Sequence, residues 1–423
     1  MKPLISRFVH RVVLPVAAVG AGLTAAFAVA QQMVGPQTKA PDAKEVEARK
    51  SKGGYYPERM KNPNLSGHAY RMTVTPPNEI PLDRIQVPKG FKVELWAHGM
   101  PGVRMMARGT QGTIWAGTRA IGRVYEIKDK GGAREHRILA QKLTQPNGVA
   151  FQAGNLYVMA INRVFRYDGI EQNPNVKPVE LTDAFKLPPD VHHNWKFIAF
   201  GPDSKLYVQV GAPCNICEPS EQHAQIRRYS ADGSNMQVIA RGVRNTVGFD
   251  FHPKTGELWF TDNGRDWQGE NGPEDELNRL SKDGQFFGFP YCHANGVPDM
   301  DVKKKDPCKG VTMPAALMGP HSAALGMRFY SGDRFPKEYK DSIFVARRGS
   351  WNKSELFGYD VVHVKLSADG RKVAKVTPFM TGFMDKKANQ FWGRPADVMM
   401  LPDGSMLVAD EQNGAIYRVT YQK

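Results

Sequence analysis

The stretch DVMMLPDGSMLV, residues 397–408, decides the fold. An apolar run at 397–400 meets a Pro402-Asp403-Gly404 turn, and a second apolar run leaves it at 406–408. Proline presets φ at the first corner of such a turn and glycine accepts a positive φ, so two short strands fold back on each other. A third apolar run, 416–419, follows after a polar step. The same pattern recurs five times upstream: at 326–330, 342–346 and 361–366; at 248–251, 258–260 and 277–280; at 197–200, 206–208 and 226–229; at 148–151, 156–158 and 164–167; and at 105–107, 113–116 and 123–127. Six copies, roughly 45–75 residues apart and each with room for about four short strands, spell an all-β, six-bladed β-propeller. A β-sandwich does not repeat its internal pattern six times. A ring of blades must close, and residues 91–96 are available as the outer strand of the last blade. The fourth and fifth copies carry insertions, which belong to loops on one face, often the binding face.

The 423 residues divide into a signal peptide or membrane anchor (1–30), a polar, Pro-rich linker or arm (31–88) and the propeller (89–423). Lys2, Arg7 and Arg11 precede an apolar stretch at 12–29, and Ala28-Val29-Ala30 is a small-residue cleavage site. The folded part is therefore expected to be periplasmic or secreted, with possible membrane association through an uncleaved N-terminus. The net charge is +15, from 57 basic and 42 acidic residues. The basic residues are scattered apart from Lys303, Lys304 and Lys305, and no Lys/Arg run interleaves with aromatics, so nucleic acid is not an expected partner. A solvated basic surface or a basic pocket for an anionic ligand remains. Four cysteines in an exported chain suggest two disulfides. Of three possible pairings the local one, Cys214 with Cys217 and Cys292 with Cys308, is the simplest. Glu218 follows the Cys214–Cys217 pair where a haem attachment site has histidine.

In a propeller the innermost strands converge on a central channel. Polar residues just before the first strand of a repeat, or just after its second, are the ligand candidates. His192 and His193 stand before the third copy. They are loop residues or, at a channel-facing position, a general base. Arg244 and Asn245 stand before the fourth, either as a blade-edge ion pair or as donors to a carboxylate-bearing ligand. The oxygen-rich turn at 261–266 follows the fourth copy's second strand, an ordinary Asp/Asn/Gly turn or a seat for a hard cation. Arg347 and Arg348 end the second strand of the fifth copy, and Arg394 precedes the sixth. Arginines converging on one channel mouth are costly unless an anion lies between them, which points to a polyanionic ligand.

These residues resemble the glucose/sorbosone dehydrogenase family of quinoproteins, over about residues 90–420. The resemblance is carried by residues 193–203, by Gly242-Val243-Arg244-Asn245 through Asn278, by Gly349-Ser350-Trp351-Asn352 and by Trp392-Gly393-Arg394-Pro395. Gly211-Ala212-Pro213-Cys214-Asn215-Ile216-Cys217 looks more like the sorbosone branch than the soluble glucose branch. The resemblance implies pyrroloquinoline quinone and Ca2+ as cofactors and a sugar-derived alcohol or aldehyde as substrate. It also implies hydride transfer to the quinone and an external electron acceptor, a quinone or a cytochrome. His193 matches the family's general base. Arg244 and Asn245 match residues on the quinone oxygens, Arg244 also serving catalysis, and Arg347 and Arg394 match residues on the cofactor carboxylates. Gly264 and Arg265 match the pair whose main-chain carbonyls hold calcium. Val247, Ala396 and Arg265 depart from the glucose branch, so glucose is not implied. A calcium-dependent lactonase or esterase and a non-catalytic binding propeller are the rival classes.

Overall fold

The computed structural model describes residues 74–422, which form six sheets built on four antiparallel strands each, here called blades 1 to 6 in chain order, blade 3 gaining a fifth strand, with two small two-stranded sheets besides. Blade 1 is built from Val103–Arg108, Ile114–Thr118, Val124–Lys130 and Ala133–Ala140. Blade 2 is Gly148–Gln152, Asn155–Ala160, Arg163–Tyr167 and Val179–Glu180. Blade 3 is Ile198–Phe200, Leu206–Val210, Gln225–Tyr229 and Gln237–Arg241, and blade 4 is Phe249–Phe251, Leu258–Asp262, Glu274–Leu280 and Ala316–Pro320. Blade 5 is Ala324–Phe329, Ile343–Arg347, Asp360–Leu366 and Val373–Met380. Blade 6 takes Pro395–Met400, Met406–Asp410 and Ala415–Tyr421 from the end of the chain, and its outer strand, Phe91–Ala97, from the beginning. Phe91 pairs with Tyr421 and Ala97 with Ile416, so the ring closes as residues 91–96 suggest.

Each apolar run of the repeat lies in one of the first three strands of a blade, and facing blades bury those runs against each other. Trp259, Met327, Val345 and Val364 fill the seam between blades 4 and 5, for example. Carboxylates stitch the inner strands together. The Met106 amide of blade 1 donates to Asp397 of blade 6 at 2.9 Å, and the Phe329 amide of blade 5 donates to Asp250 of blade 4 at 2.8 Å. A buried carboxylate that accepts from a neighbouring blade fixes the angular offset between sheets, because slippage would leave it without a donor.

The insertion of blade 4 lies between its third and fourth strands. Gln285–Phe286 adds in parallel to the outer strand of blade 3, and Cys292 and Cys308 are disulfide-bonded across the loop beyond. Cys214 and Cys217 form the second bridge, so both pairings are the local ones. Of the arm, residues 74–88 are described. Ile80 is buried in the core shared by blades 5 and 6, with Leu82, Ile85 and Val87 packed against it, and the Thr75 hydroxyl bonds Asn413 at 2.7 Å. The signal or anchor at 1–30 lies outside the described residues.

Candidate active site

His193 sits where the chain enters blade 3. It is buried and its φ is +52°, a left-handed conformation uncommon outside glycine. Its surroundings hold it there. The Gln209 side-chain amide donates to its carbonyl at 2.6 Å, its Nδ1 lies 3.1 Å from the Ala212 carbonyl, and the Trp195 ring meets it edge-on at 5.7 Å. Gly211 passes so close that a Cβ there would stand 2.3 Å from the His193 carbonyl oxygen, which explains a glycine at that position. Burial, reinforced by Arg244, His192 and Arg119, pushes the His193 imidazole well below its ordinary pKa. The ring is neutral. Since a carbonyl only accepts, Nδ1 carries the proton and Nε2 keeps the lone pair. His192 is not turned away from this ring: the two centroids are 3.8 Å apart, and burial brings His192 down to about 3.

Arg244, at the entry to blade 4, is buried and held from several sides. Nε donates to the Asn215 carbonyl at 2.9 Å, and one terminal nitrogen donates to the Asn215 side-chain oxygen at 2.8 Å. The other donates to the Asn263 and Gly264 carbonyls at 3.0 and 2.9 Å. The amides of Arg244 and Asn245 both donate to Asp262. The Asn245 side-chain oxygen is buried with no hydrogen-bond partner among the described residues.

Two acids that sequence reasoning missed, Asp275 and Glu276, stand beside Asp262 of the 261–266 turn. Burial raises Asp262, Asp275 and Glu276 above the ordinary carboxylate range; Asp275 raises Asp262 further, and Asp262 and Asp275 raise Glu276. Asp275 accepts from the Gly264 amide and the Ser322 hydroxyl, and Glu276 from the Ala294 amide and the Asn278 side chain. The available signal was Glu274-Asp275-Glu276 inside a strand whose other residues are apolar or bonded. A cavity of about 10 Å³, room for one water, lies among Arg244, Asp262, Gly264, Glu276 and His293. A larger groove of about 840 Å³ belongs to the other face of the ring, at turns 331–334 and 401–404.

A second cluster forms at blade 6. Arg104 and Arg348 both donate to Glu411, Arg104 at 2.9 Å. Burial would raise Glu411, but Arg348, Arg104 and Arg394 hold it down to about 2. The anion that converging arginines require is thus supplied in part by the chain itself. Arg394 is fully buried beneath the loop Gly349-Ser350-Trp351-Asn352, donating to the Tyr359 hydroxyl at 3.1 Å. Asn352 is buried with neither amide atom partnered among the described residues. Arg347 is elsewhere: its guanidinium forks onto Asp360 in the third strand of blade 5. Strand alternation sends Arg347 and Arg348 to opposite sides, and it is Arg348 that joins Arg394.

A planar polycarboxylate with quinone oxygens fits this wall, which offers buried guanidiniums and the orphaned amides of Asn245 and Asn352. A cation at residues 264–265 fits less well. The Gly264 carbonyl already accepts from the Arg244 guanidinium, which sets a cation where a second one would have to bind. Among the described residues no three His, Cys, Asp or Glu side chains stand together as metal ligands.

Comparison with known proteins agrees with this architecture. A protein of Borreliella burgdorferi with no described activity is 31% identical over 351 residues, 80% of this chain and 91% of its own length. The pyrroloquinoline quinone-dependent pyranose dehydrogenase of Coprinopsis cinerea is 23% identical over 80% of this chain, which spans only 54% of that enzyme. The holo form of its quinone domain superposes with a TM-score of 0.66 at 20% identity, covering 79% of this chain and 97% of the domain. A calcium structure of a Trichoderma reesei carbohydrate-active enzyme of family AA12 superposes with a TM-score of 0.69 at 17% identity, covering 83% of this chain and all of that one. The TrAA12-like family model matches residues 85–422, the whole ring of blades, and the chain belongs to that family.

Proposed function

We propose that this protein is a sugar oxidoreductase dependent on pyrroloquinoline quinone, with His193 as general base. The observation that carries the reading is the neutral His193 beside Arg244, its Nδ1 proton committed to Ala212 and its Nε2 left to accept a proton. The names of the Coprinopsis relatives support it. When bound, the quinone supplies a two-electron hydride acceptor. The residues of the chain do the rest. His193 Nε2 takes the proton from the substrate hydroxyl as hydride leaves its carbon. Arg244 and Asn245 would hold the quinone oxygens and stabilise charge developing on the acceptor. Arg348, Arg394 and Arg104 are the partners for the cofactor carboxylates, with Asn352 as donor and acceptor.

The Gly264 carbonyl is engaged by Arg244, so no step is assigned to calcium, although the Trichoderma structure in its calcium form supports a metal in the family. Val247 and Ala396, which depart from the glucose branch, are both fully buried in one apolar cluster. Glucose is therefore not assumed, and the substrate class proposed is an aldose or a sugar-derived alcohol or aldehyde. We further infer an exported location and an external quinone or cytochrome as electron acceptor.

The test is to reconstitute the purified protein with pyrroloquinoline quinone, with and without calcium, and follow dye reduction with a panel of aldoses. Aldose-dependent dye reduction is expected. Stoichiometric quinone binding without turnover on any aldose or alcohol overturns the enzyme assignment.

A further inference from the structure

The segment Gly211-Ala212-Pro213-Cys214-Asn215-Ile216-Cys217 follows the second strand of blade 3, and its role is not explained by the residues above. It touches both halves of the proposed site. Ala212 does so through its backbone alone: its carbonyl faces His193 Nδ1 at 3.1 Å, and its amide donates to the Arg244 carbonyl at 2.8 Å. Asn215 does so through main chain and side chain. Its carbonyl accepts from Arg244 Nε at 2.9 Å. Its side-chain oxygen accepts from the Arg244 guanidinium and from the Asp266 amide, each at 2.8 Å, while its side-chain nitrogen donates to the Asp266 carbonyl at 3.1 Å. One buried amide thus uses both ends to fix an arginine and the loop beyond it.

An asparagine in a free loop would lose much of this effect to rotation of the backbone beneath it. Asn215 is not in a free loop. It lies inside the ring closed by Cys214 and Cys217, whose Cα atoms are 6.1 Å apart, and Ala212 and Ala224 bury the segment against Phe289 of the blade 4 insertion. The short disulfide ring limits the conformations the loop samples when the site is empty, which is how a preorganised site avoids ordering its groups at the moment of binding.

We propose that Asn215, braced by the Cys214–Cys217 disulfide, is the positioning residue that aims Arg244 and the 263–266 turn at the cofactor. This rests on the functional reading of Arg244 given above. Asn215 touches neither substrate nor quinone; it acts through Arg244.

The experiment compares Asn215→Ala, Asn215→Asp, Arg244→Ala, the Asn215→Ala/Arg244→Ala pair and Cys214→Ser/Cys217→Ser in the full-length protein. Each apo protein is titrated with pyrroloquinoline quinone, and amide hydrogen exchange is followed at Asp266. Asn215→Ala is expected to weaken quinone binding roughly 10–100-fold, as loss of an outer-shell partner does elsewhere. Asn215→Asp keeps the acceptor for Arg244 but loses the donor to the Asp266 carbonyl, and restores only part of that loss. The double variant binds no more weakly than Arg244→Ala alone, since both changes remove the same effect. The Asp266 amide, protected in the parent protein, exchanges faster in Asn215→Ala and in the cysteine variant. Losses that multiply in the double variant, or an Asp266 amide unaffected by Asn215→Ala, overturn the proposal. A parent protein that binds no quinone overturns the functional reading instead, and the exchange measurement then decides the positioning role by itself.

Discussion

His193 Nδ1 and the Ala212 carbonyl, 3.1 Å apart, fix which nitrogen of a buried imidazole can act as a base. A ring with that proton committed and its pKa far below the ordinary histidine value stays neutral through mildly acid solution. Replacing His193 with alanine should cut turnover about 10²–10⁴-fold while quinone still binds. Asparagine should be nearly as poor, because an amide does not accept a proton at neutral pH. In the parent protein kcat/KM should stay flat from pH 7 downward past the ordinary histidine pKa of about 6.5. An acid limb centred near that value refutes His193 as the base.

The two neighbouring arginines of blade 5 should separate cleanly. Arg348→Ala, like Arg394→Ala, should weaken quinone binding. Arg347→Ala should leave binding intact and lower stability instead, by on the order of 2–4 kcal/mol, because Asp360 is left in a largely buried position without its cation. Quinone titration and denaturant melts on the same preparations decide it. Loss of binding in Arg347→Ala alone would return that residue to the cofactor.

Glu276 makes stability fall as pH rises from the ordinary carboxylate range to about 8. Burial and the adjacent acids raise its pKa in the folded protein. A raised carboxylate favours folding fully below its unfolded pKa, and that contribution is lost as pH rises through the folded pKa. Glu276→Gln removes the ionisation, and a reoriented Asn278, whose side-chain oxygen has no partner, can accept from the new amide. The variant should melt higher than the parent at pH 8 and no higher at pH 5. Equal melting shifts at both pH values would show that the carboxyl does not titrate in this range.

Cys292→Ser/Cys308→Ser should destabilise the protein by about 3 kcal/mol in the chain-entropy picture of a loop of that length. The loss should be local. Arg265, fully buried on Asp299, whose other partner is His293, still pins one end of the insertion. Limited proteolysis should cut near Lys303, Lys304 and Lys305 first; uncut protein at equal melting temperature would show the disulfide to be dispensable.

The ring was legible because its evidence is periodic: six apolar pairs, each split by a turn, and a spare strand at 91–96. His193, Arg244 and Arg394 were legible for a related reason, since the entry to a blade's inner strand is a place the repeat marks. Arg104 was not. It lies inside a strand, between Val103 and Met105, and the other residues of its cluster come from blades 5 and 6. Glu411 follows a second strand, the position where ligand candidates are sought, but its neighbour Asp410 reads the same and is engaged by the Arg394 amide, the Tyr417 hydroxyl and the turn. Arg347 and Arg348 differ by which side of a strand end they leave, and that parity depends on packing that the local sequence does not reveal.

The closure of blade 6 has a consequence for how the protein is made. The strand Phe91–Ala97 waits for Ala415–Tyr421, more than three hundred residues later, before it has anything to pair with. While synthesis proceeds, blades 1 to 5 can stack in order, but Phe91 has no Tyr421 beside it and an edge of its strand stays open. Native closure therefore waits for residues 415–421, across a sequence separation of more than three hundred residues, which slows it. A chain arrested or clipped just short of residue 415 would keep five complete blades and lose the ring, exposing two unpaired edges to any other strand nearby.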